Sequence, residues 1–190
     1  HAMAYDAARG KVVMFGGSDG NALLDDTWEW DGAAWTKVNA ASSPPARHSH
    51  AMAYDAARGK AVVFGGSAGI AHRDDTWEWD GTAWTEVIVA NPPPARGSHT
   101  IAYDAAHGKV VLFGGADNNG YRNETWEWDG AAWTERQVTN EPSPRASHEM
   151  AYDAAHGKVV LFGGRDGNAY RNDTWEWDGT SWTEVIVANP

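Results

Sequence analysis

The chain has 190 residues, among them 12 tryptophans and no cysteine, and its 26 acidic and 15 basic residues give a net charge of −11. Without cysteine, disulfides, thiolate metal sites and cysteine nucleophiles are excluded. The negative charge argues against binding to nucleic acid or to an anionic membrane, which attract Lys and Arg, and no apolar run approaches the ~20 residues of a membrane-spanning helix.

One unit repeats along the whole chain every 49 residues, without insertion or deletion. The motif His-x-x-Ala-Tyr-Asp-Ala-Ala-x-Gly-Lys begins at His1, His50, His99 and His148. Of the 43 columns that all four copies share, 20 are identical. The units cover approximately 1–49, 50–98, 99–147 and 148–190. Such regularity indicates a repeat architecture, and we expect a single array over residues 1–190.

Each unit contains four segments with strand patterns, which the second copy illustrates. In chain order they are His50–Tyr54, Lys60–Phe64, Asp75–Trp79 and a strand that begins at Trp84. A period of two places Trp77 and Trp79 on one face of the third strand and Glu78 on the other. Asp80-Gly81 is a hairpin signal, and the prolines at 92–94 end the unit.

A four-stranded antiparallel unit of this size cannot bury both of its faces alone. Stacking the units around an axis buries them, with the tryptophans filling the wedge between neighbouring sheets. We therefore predict an all-β β-propeller of four-stranded antiparallel blades, four in the chain. Most Trp, Tyr and Phe side chains are then expected to pack in the core.

Three features of the unit resemble the kelch repeat. They are Phe15-Gly16-Gly17 with its copies at Phe64, Phe113 and Phe162, the later tryptophan of the Trp35 type, and the Pro-rich Arg-x-Ser-His lead-in. The resemblance covers the whole chain. Kelch proteins fold as β-propellers, usually with six or seven blades, so the resemblance implies four kelch blades here. This count leaves three arrangements open: a compact four-bladed ring, a homodimer that closes as an eight-bladed ring, and a piece of a longer chain.

The loops differ in how much they vary between copies. If the strands of a blade are lettered A to D, the A–B and C–D turns barely change, whereas the B–C loops at 18–24, 67–73, 116–122 and 165–171 change most. In an up-and-down blade the B–C and D–A connections share one face of the ring. Binding groups tend to lie on loops held by a rigid scaffold, so we predict ligand binding on this face, at the mouth of the central channel.

Eight residues on this face are candidate ligand-binding residues. They are Arg47, Arg96 and Arg145 before the A strands, Arg73, Arg122 and Arg171 in the B–C loops, and the loop tyrosines Tyr121 and Tyr170. Guanidinium groups suit carboxylates or sugar hydroxyls, and the kelch resemblance implies acidic peptides at such positions. In the alternative interpretation, the arginines before the A strands tie the D–A segment to a carboxylate or carbonyl of a neighbouring blade.

The four repeated histidines are the alternative candidates for a metal site. A symmetric ring would aim His1, His50, His99 and His148 at one axis, but a histidine bonded within each blade recurs in the same way. The acidic loop fragments, such as Asp19-Gly-Asn21, lack the bidentate Glu and the spacing of a calcium loop. We therefore expect no cofactor.

The sequence leaves three classes of function open. Identical blades supply identical groups, whereas most active sites need several different groups that converge once, so we expect a binding scaffold without catalytic residues, for a protein, peptide or glycan. A kelch-type sugar mutarotase is the enzymatic alternative. Galactose oxidase resembles this fold class, but its copper site needs a Tyr–Cys cross-link and this chain has no cysteine. The third class is a designed or duplicated repeat protein without a ligand.

Overall fold

The computed structural model describes residues 1–186, which form four sheets with four strands each, antiparallel throughout and ordered A-B-C-D in every sheet. Blade 1 contains β1 (Ala2–Asp6), β2 (Lys11–Ser18), β3 (Leu23–Trp30) and β4 (Trp35–Val38). Blade 2 contains β5 (Ala51–Asp55), β6 (Lys60–Phe64), β9 (Thr76–Trp79) and β10 (Trp84–Val87). Blade 3 contains β11 (Thr100–Asp104), β12 (Lys109–Phe113), β15 (Thr125–Trp128) and β16 (Trp133–Arg136). Blade 4 contains β17 (Glu149–Asp153), β18 (Lys158–Phe162), β19 (Thr174–Trp177) and β20 (Trp182–Val185).

The predicted all-β fold with four-stranded propeller blades is confirmed. The B–C loops of blades 2 and 3 add small hairpins that the strand pattern did not predict. These are β7 (Ser67–Ala68) with β8 (Ala71–His72), and β13 (Ala116–Asp117) with β14 (Gly120–Tyr121). Among the described residues, no helix is long and apolar enough to cross a membrane.

The A–B turns show how the sequence sets the local structure. In blade 1, the Asp6 carboxylate accepts hydrogen bonds from the backbone N–H groups of Ala8 and Arg9, both at 3.1 Å. The N–H of Gly10 donates to the Asp6 carbonyl at 2.9 Å. Gly10 has a φ of +67°, which glycine adopts without a steric cost. The Asp and Gly of the repeated motif therefore close this hairpin.

The hydrophobic core lies between successive blades. At each junction, a strand B phenylalanine of one blade packs on the strand D tryptophan of the next. The ring centroids are 5.1 Å apart for Phe15–Trp84, 5.2 Å for Phe64–Trp133 and 5.2 Å for Phe113–Trp182. The same indole N–H groups donate to threonine hydroxyls, from Trp84 to Thr27, Trp133 to Thr76 and Trp182 to Thr125. Each junction thus buries the largest side chains of the repeat and satisfies the polar atom of the indole.

Candidate functional site

The B–C loops and the D–A lead-in segments (44–49, 93–98 and 142–147) form one continuous surface, which we call the loop face. Isolated antiparallel bridges join each lead-in to the B–C loop that follows: His48 with Ser67, Gly97 with Ala116, and Ala146 with Arg165. The Phe-Gly-Gly motif allows this approach, since a Cβ at Gly66 would lie 2.7 Å from the His48 carbonyl oxygen. The backbone of the loop face is therefore held by the blades beneath it.

The arginines of the lead-ins point into the protein. The Arg47 guanidinium donates to both carboxylate oxygens of Asp75 at 2.6 Å, and to the Gly65 carbonyl at 2.9 Å. Arg96 donates to Glu124 at 3.1 Å, and Arg145 donates to Asp173 at 2.6 and 2.7 Å. All three arginines are at most 1% exposed. We expected these three arginines to contact a ligand, but their side chains are not accessible to one. Their geometry agrees with the alternative interpretation, in which each arginine ties the D–A segment to a carboxylate of a neighbouring blade.

These ion pairs also determine the charge state of their acidic partners. Burial is the largest influence on Asp75 and raises its pKa, but the hydrogen bonds and the charge of Arg47, together with the hydrogen bond from Trp77, lower the pKa overall. The hydrogen bond from Arg145 lowers the pKa of Asp173 against the opposing effect of burial. Both carboxylates are thus stabilised in the charged form that the arginines require.

The arginines of the B–C loops lie at the surface, and two of them are paired within their own loop. Arg122 forms an ion pair with Asp117, and Arg171 forms one with Asp166. The backbone N–H of Ala169, followed by Arg171, lowers the pKa of Asp166 to about 2. Both guanidinium groups therefore already have a carboxylate partner.

Arg73 differs because Ala68 occupies the position that Asp117 and Asp166 hold in the other loops. Within residues 1–186, no carboxylate lies within ion-pair distance of Arg73, and its Nε is buried without a hydrogen-bond acceptor. Arg73 is half-buried as a residue. Of the six candidate arginines, it is the one whose guanidinium lacks a carboxylate partner.

Grooves separate the neighbouring B–C hairpins on the loop face. A cavity of about 410 Å³ between blades 2 and 3 is lined by His72, Pro94, Asp117 and Arg122, among others. A second cavity, of about 190 Å³, lies between blades 3 and 4. Tyr121, Arg165, Gly167 and Tyr170 line it. The Tyr121 ring packs over Gly167, whereas Tyr170 is 88% exposed. The two candidate tyrosines therefore border one groove.

Three of the repeated histidines, His50, His99 and His148, are packed into the blade junctions, whereas His1 is exposed. His50 Nε2 lies 3.1 Å from the Phe15 carbonyl oxygen, and its ring stands edge-on to the Phe15 ring with centroids 5.5 Å apart. Burial, and then the nearby Arg47, lowers the pKa of His50 to about 3. Burial, and then Arg145, does the same for His148. In the part of the chain that the structure describes, no three His, Cys, Asp or Glu side chains are arranged to hold a metal ion.

A central cavity of about 460 Å³ is lined by the A strands and by the residues just before them. Ser49, Ser98 and Ser147 border it with φ of +54°, +56° and +56°, a conformation that is uncommon for residues other than glycine. The Ser98 N–H donates to the Ser49 carbonyl at 2.8 Å, and the Ser147 N–H donates to the Ser98 carbonyl at 2.9 Å. Sequence reasoning missed these serines, although their position before three of the four repeated histidines marked them as a repeated element.

A comparison with models of known protein families identifies the family of this chain. The model of the KLHDC2/KLHL20/DRC7 Kelch-repeats domain matches residues 82–189, more than half of the chain. The chain belongs to the kelch-repeat family. A search of curated proteins gave no match. Kelch repeats generally mediate protein interactions, and kelch domains are typically non-catalytic.

The repeated glutamates of this kelch chain lie away from the loop face, in the B–C strand pairs. Each forms an ion pair with the lysine that begins strand B: Lys11 with Glu29 at 2.8 Å, Lys60 with Glu78 at 2.6 Å, Lys109 with Glu127 at 3.0 Å and Lys158 with Glu176 at 2.5 Å. A carboxylate that is paired in the same way in every blade has a structural role.

Proposed function

We propose that this kelch array is a non-catalytic scaffold that binds a protein or peptide segment on the loop face. The observation that carries the proposal is Arg73, a guanidinium without a carboxylate partner in the B–C loop of blade 2, next in sequence to His72, which lines the groove between blades 2 and 3. A guanidinium is the group best suited to two parallel hydrogen bonds with a carboxylate. The ligand that fits is therefore a segment with an Asp or Glu side chain, or a C-terminal carboxylate.

The grooves supply the remaining contacts. The cavity beside His72 and Pro94 continues along the Asp117 hairpin, so a ligand held at Arg73 extends toward blade 3. The exposed Tyr170 offers an aromatic surface beyond it, and aromatic side chains are frequent anchors in protein interfaces. The ion pairs Arg122–Asp117 and Arg171–Asp166 occupy two of the candidate guanidinium groups, which leaves Arg73 as the candidate arginine that can bind an anionic group of the ligand.

The experiment is a selection of binders from a random peptide display library against the immobilised chain, followed by affinity measurements on the selected peptides. Ala68→Asp places beside Arg73 the carboxylate that the other loops contain, and keeps Arg73 itself. We expect Ala68→Asp and Arg73→Ala each to weaken binding about tenfold or more, as the loss of a charge-assisted hydrogen bond does. Thr82→Ala, in an exposed C–D turn on the opposite face, is the control and leaves affinity unchanged.

Two results would overturn the proposal. One is a set of selected peptides that bind wild type and both Arg73-directed variants equally. The other is a selection that enriches no peptide, with no binding when a panel of oligosaccharides is tested in the same format. Enrichment of oligosaccharides alone would replace the peptide ligand with a glycan.

A further inference from the structure

The junction between blades 2 and 3, which we call the middle junction, differs from the other two in its carboxylate. Asp75 of blade 2 and Asp173 of blade 4 meet the lead-in arginines, whereas blade 3 has Glu124 at the same position of the repeat. Glutamate is one methylene longer than aspartate. The chain therefore contains its own comparison, two junctions with the short acidic side chain and one with the long side chain.

In the two aspartate junctions, one carboxylate oxygen accepts hydrogen bonds from two different side chains. Asp75 Oδ2 accepts from Arg47 Nη2 at 2.6 Å and from Trp77 Nε1 at 2.9 Å. Asp173 Oδ2 accepts from the corresponding arginine and tryptophan at 2.7 and 2.8 Å. The buried guanidinium and the neighbouring indole are thus held by the same oxygen.

The middle junction has a different pattern of hydrogen bonds. Arg96 donates one hydrogen bond to Glu124, from Nη1 at 3.1 Å. Among residues 1–186, Arg96 Nη2 and Trp126 Nε1 are buried without an acceptor. Burial lowers the pKa of Arg96, and the charge of Glu124 does not fully offset that effect. Buried donors without acceptors cost stability, so the glutamate weakens this junction relative to the other two.

Glu124 also reaches a second arginine. Its Oε1 lies 3.5 Å from Nη1 of Arg122, the hairpin arginine two residues earlier. Arg122 lines the cavity of about 410 Å³ between blades 2 and 3, as does its other partner, Asp117. Within residues 1–186, the junction aspartates of blades 2 and 4 form no ion pair with the hairpin arginine of their own loop. The longer side chain therefore links the groove to the middle junction.

We propose that Glu124 is a positioning residue for the groove between blades 2 and 3, where it holds Arg122 at the expense of contacts in the middle junction. The inference rests on the proposed function, because it assigns part of the peptide site to this groove. Proteins depart from a regular structural pattern where function requires it, and they lose stability there. Arg122 is then fixed between Asp117 and Glu124, so that its hairpin presents a rigid wall to the ligand.

Glu124→Asp tests the proposal, because its two expected effects have opposite signs. The shorter carboxylate accepts from Arg96 Nη2 and Trp126 Nε1, as in the other junctions, so we expect the equilibrium constant for unfolding to fall about tenfold in urea denaturation. Arg122 loses one of its two carboxylates, so we expect amide hydrogen exchange in the 117–121 hairpin to become about threefold faster. A residue with a structural role alone would not loosen a hairpin while stabilising the fold.

Two further variants are the controls. Asp173→Glu creates the carboxylate of the middle junction beside Arg171, and is expected to change both quantities in the reverse direction, with exchange measured in the loop at 165–171. Glu86→Asp makes the same chemical change at an exposed position of β10. It is expected to leave both quantities at their wild-type values.

Lower or unchanged stability of Glu124→Asp would overturn the proposal, and so would a hairpin that exchanges at the wild-type rate or more slowly. Peptides obtained from the display selection separate this inference from the proposed function. We expect such a peptide to bind Glu124→Asp about threefold more weakly than wild type. If it loses affinity in Arg73→Ala but binds Glu124→Asp as tightly as wild type, the proposed function stands and this inference fails.

Discussion

The blade junctions and the B–C hairpins use arginine in two different ways. Arg47 and its counterparts are buried, and a carboxylate of the next blade meets them at every junction. The hairpin arginines lie at the surface, and their partner aspartate is present in two loops and replaced by Ala68 in a third. The comparison teaches that recurrence of a charged residue together with its partner marks a structural contact, whereas recurrence without the partner leaves a group available for a ligand.

The largest effect is expected at the junction. Arg47→Ala leaves the largely buried Asp75 carboxylate without its partner and the Gly65 carbonyl without its donor. Removing one member of a buried ion pair costs about 3–5 kcal/mol, so we expect the free energy of unfolding to fall by about 3 kcal/mol. Urea denaturation followed by tryptophan fluorescence measures this. A loss below 1 kcal/mol would show that the junction does not depend on the arginine.

The buried histidines predict a dependence of stability on pH. The pKa of His50 is lowered to about 3 in the folded chain, whereas an unfolded histidine titrates near 6.5. Between these values the unfolded state binds the proton and the folded state does not, so stability rises with pH in this window and falls as the solution is acidified. The expected slope is about 1.4 kcal/mol per pH unit for one such histidine.

His50→Gln tests the origin of that slope, because glutamine does not titrate. Urea denaturation at several pH values between 4 and 7 is expected to give a shallower dependence for the variant than for wild type. Equal slopes would contradict the assignment of the effect to this histidine.

The smallest effect is expected in a hairpin. Arg122 is paired with Asp117 near the surface, and exposed ion pairs contribute about 0.2–1 kcal/mol. Arg122→Ala is therefore expected to lower the free energy of unfolding by less than 1 kcal/mol in the same denaturation experiment. A loss as large as that of Arg47→Ala would remove the distinction between the two kinds of arginine.

The blades could be predicted from the sequence because their signals are local. Alternation around Trp77 and Trp79 and the Asp80-Gly81 turn lie within a few residues of one another, and four copies repeat them. The resemblance to the kelch repeat added the prediction that the blades form a β-propeller, and the match to a kelch family model agrees with this prediction.

The direction of the arginine side chains could not be predicted, because their partners are distant in the chain. Asp75 follows Arg47 by 28 residues and belongs to the next blade. The recurrence of the arginine in each lead-in was therefore compatible both with a ligand site and with a structural tie. The B–C hairpins were missed for a similar reason. Strands such as Ala71–His72 are two residues long, and the bridge between His48 and Ser67 joins the hairpin to the preceding lead-in.

The most direct test of the distinction between the two kinds of arginine is a pair of double-mutant cycles, one on Arg47 and Asp75 and the other on Arg122 and Asp117, each measured by urea denaturation. Such a cycle isolates the coupling energy of the pair from the other effects of each substitution. The account predicts a coupling of about 2 kcal/mol or more at the junction, and one of about 0.5 kcal/mol in the hairpin. Equal coupling energies, or a larger one in the hairpin, would contradict it.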